Sequence, residues 1–180
     1  MVYTNLVSSV NIKSLVNNTL TTNVNYVTSL INFSESGMDK EVSNTEIFGE
    51  TVITNIKRPT TMDLTMVFLL DSTDSIPVLL RNMGDLDLDS GVYTYTFEDI
   101  NRRHRIALTW QDVTTGTTFM KIYYNMYVEK INISKSDVVE VSIQGKIPIK
   151  DITTGKYNYV EYEGTSASTI LTARDTLMGW

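Results

Sequence analysis

The chain has 180 residues, with a single histidine, His104, set in Asn-Arg-Arg-His-Arg, and no cysteine. Covalent catalysis needs a nucleophile with a base beside it. Any such centre here would have to use His104, and no Gly-x-Ser-x-Gly elbow accompanies it. Beside Arg102, Arg103 and Arg105, the histidine reads as a surface residue where a strand begins. The three arginines of an otherwise acidic chain fit salt bridges to the carboxylates of a neighbouring subunit. Without cysteine there is neither a disulfide framework nor a thiolate metal site.

Asp85-Leu-Asp-Leu-Asp-Ser-Gly91 offers alternating carboxylates. A calcium loop wants glycine sixth and glutamate twelfth, where this chain has Ser90 and Thr96. The alternation suits an edge strand guarded by charge. Gly145-Lys146 lacks the glycines that precede a phosphate-loop lysine, and Ile147 follows it. Nothing in the sequence points to a pair of glycosidase carboxylates. The expectation is a protein that is not an enzyme, with no cofactor and no metal.

The length fits one domain with a real core. Hydrophobic residues make up 42% and charged residues 20%, a globular balance. A formal net charge of −6 argues against gripping nucleic acid by its phosphates, though not against letting it slide past. The first ten residues show no basic n-region and no apolar run, so no signal peptide is expected. The densest apolar stretch, residues 66–70, is far short of a membrane span. Three Asn-x-Ser/Thr triplets, at Asn17, Asn32 and Asn132, carry little weight in so Asn- and Thr-rich a chain.

The elements that position these residues read mostly as strands. Residues 119–149 hold two runs rich in β-branched and aromatic side chains around Ser-Lys-Ser-Asp, which predicts a long antiparallel hairpin. Met120, Ile122, Tyr124, Met126 and Val128 share one face; Val139, Val141 and Ile143 share a face of the second run. The apolar phase then shifts to Ile131 and Ile133, which predicts a bulge near Glu129 and Lys130. Bulky residues on both faces suggest a sheet covered on one side by the core and on the other by a partner, or else a hairpin inside an ordinary sandwich.

Residues 1–33 read as weak strands or an arm, and 34–49 as a long functional loop carrying Met38, Val42, Ile47 and Phe48. Residues 50–163 form the β core. Within it, strands 51–57 and 62–70 flank Arg58-Pro-Thr60, and a short helix is expected over 74–84, capped by Asp74 or Ser75 with Pro77 in its first turn. Strands 92–98 and 105–111 are expected to pair, and Asp112–Thr117 and Asp151–Gly155 mark turns. Residues 164–180 read as a C-terminal arm with the spacing of a short helix, whose Ile170, Leu171, Leu177, Met178 and Trp180 need a surface to dock on. The fold class is mainly β: a two-sheet antiparallel sandwich or barrel with one short packed helix, a long loop and terminal arms.

The order of these elements, and above all Tyr127-Val-Glu-Lys-Ile-Asn-Ile-Ser-Lys-Ser-Asp-Val-Val-Glu-Val-Ser-Ile-Gln-Gly-Lys146, resembles the closing hairpin of the bacteriophage major tail (tail tube) proteins. Residues 50–70 and the expected helix resemble the first sheet and packed helix of that fold. The resemblance spans about residues 50–150. It implies a virion structural protein of six-membered rings, stacked into a tube through which DNA passes without specific binding. It also implies assembly in the host cytoplasm, residence in the virion tail, and contacts with tape-measure, terminator and sheath proteins, with no membrane insertion. In that reading Met38, Val42, Ile47 and Phe48 make ring-to-ring contacts, the C-terminal apolar set bridges neighbours, and Arg102, Arg103 and Arg105 pair across subunits. The alternative is a monomeric β-sandwich binding module or another virion accessory or baseplate protein. As a carbohydrate binder it would use Tyr93, Tyr95, Trp110, Tyr157 and Tyr159.

Overall fold

A computed structural model describes residues 9–16, 19–20, 24–26, 30–39, 41–48, 50–70, 86–89, 92–95, 102–112, 114–135 and 139–180. The helix expected over 74–84 lies outside them. Among the described residues the fold is mainly β, an antiparallel two-sheet sandwich with one helix, near the end of the chain. It is organised by β11 (Thr118–Lys135), a strand of 18 residues, about 60 Å if fully extended. The alternation read over 119–128 holds only as far as Tyr124: Met120, Ile122 and Tyr124 share one face, but Met126 and Val128 lie with the core between the sheets, because the left-handed Asn125 flips the phase. No single sheet uses all of the strand's length.

The first half of β11 belongs to sheet A. There it pairs antiparallel with β10 (Arg103–Gln111) on one side and β13 (Tyr159–Gly164) on the other. β10 in turn pairs with β1 (Ser9–Val16), whose far side carries β2 (Thr19–Leu20) and β3 (Val24–Tyr26). The second half of β11 belongs to sheet B, with the order β11, β12 (Val139–Pro148), β7 (Thr61–Leu70), β4 (Leu30–Ser36).

Between the two halves the strand bends. Asn125 adopts a left-handed φ of 56°, and the β11–β12 register slips between Val128 and Lys130, the bulge that the phase shift predicts. A bulge adds a residue to one strand and swings its direction. Asn125 is stabilised in this unusual conformation by its buried amide, which donates to Asp151 Oδ2 and Asn158 Oδ1, each at 2.9 Å.

The sheets face each other over one apolar core. Sheet A contributes Val10, Ile12, Ile106, Leu108, Trp110 and Tyr123; sheet B contributes Met62, Leu64, Met66, Phe68, Val141, Ile143 and Ile147. Trp110 lies 5.5 Å, centroid to centroid, from both Phe33 and Phe119. The outer face of sheet A is also apolar, with Leu15, Ala107, Met120, Ile122 and Tyr124, and it is covered by α1 (Ala167–Met178) and Trp180. This accounts for the bulky residues on both faces of β11: one set meets sheet B and the other meets the helix.

Three expectations are corrected. Residues 34–49 are not a long loop. They end β4, turn at 37–39, and enter β5 (Glu41–Ile47), which pairs with β6 (Glu50–Lys57) as a separate two-stranded arm. The acidic residues that hid this strand belong to an exposed ribbon, which needs no continuous apolar face. Residues 51–57 accordingly pair with β5, not with β7. Lastly, Val92–Tyr95 (β9) pairs with Leu86–Asp89 (β8), while β10 takes β1 and β11 as neighbours. Long-range pairing decided these cases over adjacency along the chain.

Two turns prove to be the same device. Asp112-Val-Thr-Thr-Gly116 and Asp151-Ile-Thr-Thr-Gly155 share a pattern. In each, the Asp Oδ1 accepts from the two threonine amides, and the Gly N–H donates to the Asp carbonyl. Both glycines take left-handed φ, 69° and 66°, which costs glycine nothing.

Gly145, opposite Val128 at the bulge, is required by contact. A Cβ there would lie 2.6 Å from the Tyr127 carbonyl oxygen and 2.3 Å from Met126 Cε. The methionine can turn away, but the backbone oxygen is fixed by the sheet. Gly145→Ala is expected to destabilise the fold by about 1–3 kcal/mol, read as a lower urea midpoint with unchanged slope.

Candidate functional site

The strongest functional feature is the surface of sheet B. Along β7, Met62, Leu64, Met66 and Phe68 point into the core and are fully buried, so Asp63, Thr65 and Val67 point out. β12 alternates likewise, with Val141, Ile143 and Ile147 inward and Ser142, Gln144 and Lys146 outward. The pairing aligns these into cross-strand rows. One is Asn32, Val67, Ser142, Asn132; the next is Ser34, Thr65, Gln144, Lys130. Lys130 is the one charge in these two rows. Toward one end, Lys146 lies 2.7 Å from Glu129, whose carboxylate holds the lysine above its ordinary range. The outer face of sheet B is thus a four-stranded surface of hydroxyls and amides with paired charge at its margin.

Both edges of this sheet are open among the described residues. β4 pairs only with β7, and residues 127–135 of β11 pair only with β12. Unpaired edges template pairing with another chain. Each carries a large apolar side chain in water: Ile31 is 46% exposed on β4 and Ile133 is 49% exposed on β11. The β5–β6 arm adds a third sticky surface. Phe48 sits at its tip, fully exposed with φ 53°, and Ile53 and Ile56 are more than half exposed. Of the residues expected as ring-to-ring contacts, Met38 is exposed beside the arm, Phe48 caps it, and Val42 and Ile47 lie on β5.

The C-terminal residues are placed differently. Met178 and Trp180, expected to bridge neighbours, are buried on the chain's own sheet A, and Leu171 packs at the margin of that cluster. Ile170 is half-buried, and Leu177 is exposed. The arm folds back because the outer face of sheet A is apolar and needs a cover.

The arginines are likewise engaged within the chain. Arg105 is 1% exposed; its Nη2 lies 3.2 Å from Asp175 Oδ2 on α1, and its Nη1 donates to Asn11 Oδ1. Tyr124 donates its hydroxyl to Asp175 Oδ1 at 2.9 Å. Arg103 donates to Asn125 Oδ1 at 3.1 Å, and Arg102 is half-buried.

His104 is not a surface residue. It is buried on the inner face of β10, with Nδ1 2.8 Å from Ser14 Oγ on β1. Both residues are 1% exposed, so no reactant meets this serine–histidine pair in the folded chain. Burial, reinforced by the charge of Arg102, lowers the histidine pKa to about 3.

The corner where β4, β11 and β13 meet leaves no local signature, because its members are distant in the chain. There Lys121 Nζ lies 2.9 Å from Glu35 Oε2 and 3.4 Å from Glu161 Oε1. Tyr123 donates to Glu35, Tyr159 donates to Glu161, and the two rings stack at 5.3 Å. This cluster ties the edge of sheet B to the edge of sheet A. It also uses Tyr159, and Trp110 is in the core, so neither belongs to an open aromatic platform for sugar. Tyr157 is exposed, with Lys150 Nζ 4.9 Å from its ring centroid. A groove of about 520 Å³ beside the start of α1 is lined by Asn11, Thr109, Gln111, Thr118 and Ser168 among others, with no ionisable side chain.

No family model matches the chain, and no curated protein matches it. A solved structure similar to it is a chain of the cryo-EM structure of the anti-feeding prophage (AFP) baseplate, 6-fold symmetrised. The identity is 10%, the match covers 92% of this chain and 99% of that one, and the TM-score is 0.40. Similarity of that size carries no functional argument, and the reading below rests on the chain's own surfaces. Among the described residues no helix is long and apolar enough to cross a membrane.

The buried histidine gives a pH dependence with a definite sign. Its pKa is 6.5 when solvated and about 3 in the fold, so between these values the unfolded chain binds the extra proton. The stability it contributes is fully present above 6.5 and is lost as pH falls toward 3. From pH 7 to pH 5 this amounts to roughly 2 kcal/mol, and His104→Gln is expected to flatten that part of the urea-midpoint profile.

Proposed function

We propose that this chain is a virion structural protein that associates edge to edge through sheet B, closes into a ring of six, and stacks as a tail tube for DNA passage. The observation that carries the reading is sheet B itself: apolar inside, mostly hydroxyl and amide in the middle of its outside with Lys130 the one charge in the two middle rows, and open at both edges among the described residues. β4 of one copy meeting residues 127–135 of the next is a heterologous contact, which generates closed rings or open filaments. Ile31 and Ile133 are then covered by the neighbour.

Ring closure directs the outer face of sheet B toward the axis. A polyanion passing along hydroxyls and amides finds few cations to release its counterions against, and so is not retained. The net charge of −6 acts in the same direction. Phe48, Ile53 and Ile56 on the projecting arm supply contacts between rings, in keeping with the exposed apolar patches of obligate assemblies. Contacts with other tail proteins follow from the open ends of such a tube.

The test is negative-stain microscopy with light-scattering mass across a concentration series. Rings or tubes with a central hole are expected for the natural sequence. Ile31→Lys with Ile133→Lys is expected to abolish them and leave a monomer with an unchanged melting temperature, because both side chains are in water in the single chain. A natural chain that stays monomeric at high concentration defeats the proposal and turns attention to a binding module.

A further inference from the structure

α1 is held mainly by its last turn. Asp175 reaches the buried Arg105 and Tyr124, Met178 and Trp180 cover the apolar face beneath, and Arg174 Nη2 donates to the Tyr157 carbonyl at 2.9 Å. The first turn contributes less, since Ala167 and Leu171 only border the cluster and Ser168 and Thr169 are exposed.

The helix has little stability of its own. Ser166 makes no side-chain capping bond, the first turn has no acidic residue and the last turn no basic one. Thr172 and Thr176 turn their hydroxyls back to the carbonyls four residues earlier, each at 3.0 Å. Such back-bonding slightly weakens a helix. A helix of 12 residues is marginal in water even with a favourable sequence. This segment is therefore helical because it is docked.

The docking contact contains a costly element. Burial pushes the Asp175 carboxyl up despite the pull of Arg105, and burial pushes the Arg105 guanidinium down despite the pull of Asp175. Loss of water thus outweighs mutual attraction for both partners, as is common for buried ion pairs. When the helix leaves, both charges recover their hydration, which offsets part of the re-exposure of Trp180 and Met178.

We propose that residues 165–180 form a releasable latch, in which α1 undocks and unwinds from sheet A while the sandwich beneath stays folded. Opening uncovers Leu15, Ala107, Met120, Ile122 and Tyr124, an apolar face with Arg105 and its cross-strand neighbour Lys13 beside it. The sandwich core does not depend on the latch, because the cluster between the sheets includes no residue of α1. The inference is independent of the tube reading, since it concerns the single chain.

Hydrogen exchange followed by mass spectrometry on the full chain tests it. Amides of 167–180 are expected to exchange as one unit, about tenfold or more faster than those of Ile106 and Leu108 in β10. In the triple variant Arg105→Met, Asp175→Leu and Tyr124→Phe, exchange of the same segment is expected to slow by about tenfold or more, since the apolar set docks without losing hydration and leaves no buried hydroxyl without its acceptor. Exchange of the helix at the rate of β10 in the natural chain overturns the proposal. So does a folded triple variant whose segment exchanges no more slowly. If that variant fails to fold, the comparison within the natural chain still decides.

Discussion

One strand has to serve two sheets, and most of the structure follows from that constraint. β11 is twice the length any single pairing partner can use, so it leaves β10 and β13 near its midpoint and joins β12. The change of direction needs an extra residue in the ladder, a left-handed Asn125, and a partner strand thin enough to approach. Gly145 supplies the last of these, with the Tyr127 carbonyl occupying the space where a Cβ would stand. The polar knot of Asn125, Asp151, Asn158 and Arg103 then satisfies the groups exposed by the bend, so that the hinge between the sheets is a fixed corner. At the opposite side the side chains of Glu35, Lys121 and Glu161 link β4 of sheet B to β11 and β13 of sheet A, leaving the backbone edge of β4 without a strand partner among the described residues.

Sheet A and sheet B meet different fates because their outer faces differ in chemistry. The outer face of sheet A is apolar and is covered within the chain by α1 and Trp180. The outer face of sheet B is hydroxyl and amide, wets readily, and needs no cover. Among the described residues no strand pairs with either edge of sheet B. An open, unpaired edge with an exposed isoleucine is a liability for a monomer and an asset for an assembly. The functional reading rests on that contrast more than on any cavity.

The buried charges make a second theme. Arg105, Asp175 and His104 all sit where water is excluded, and burial shifts each toward its neutral form. Single removal of one member of the Arg105–Asp175 pair leaves the other uncompensated, whereas joint replacement does not. Such a pair contributes little to stability and much to which surface the C-terminal segment accepts. The histidine does the reverse of catalysis: hydrogen-bonded to Ser14 inside the core, it is a neutral packing residue with a proton debt in acid.

How much of this was legible in the chain varies by the range of the interaction. The alternation of Met62 through Phe68 and of Val139 through Ile143 determined the core strands, because side-chain period is a local property of the backbone. The slip from Val128 to Ile131 located the bulge for the same reason. The absence of cysteine and of any nucleophile–base motif was equally plain. Partner choice was not, since nothing local tells β10 to take β1 rather than β9, or β6 to take β5 rather than β7. The acidic ribbon of β5 carries no strand period in its sequence because an exposed two-stranded arm has no buried face to impose one. Met178, Trp180 and Arg105 announced that they needed partners, and only the tertiary structure decided that those partners lie in the same chain, through contacts such as Tyr124 with Asp175, 51 positions apart, and Arg105 with Asp175 on one face of sheet A.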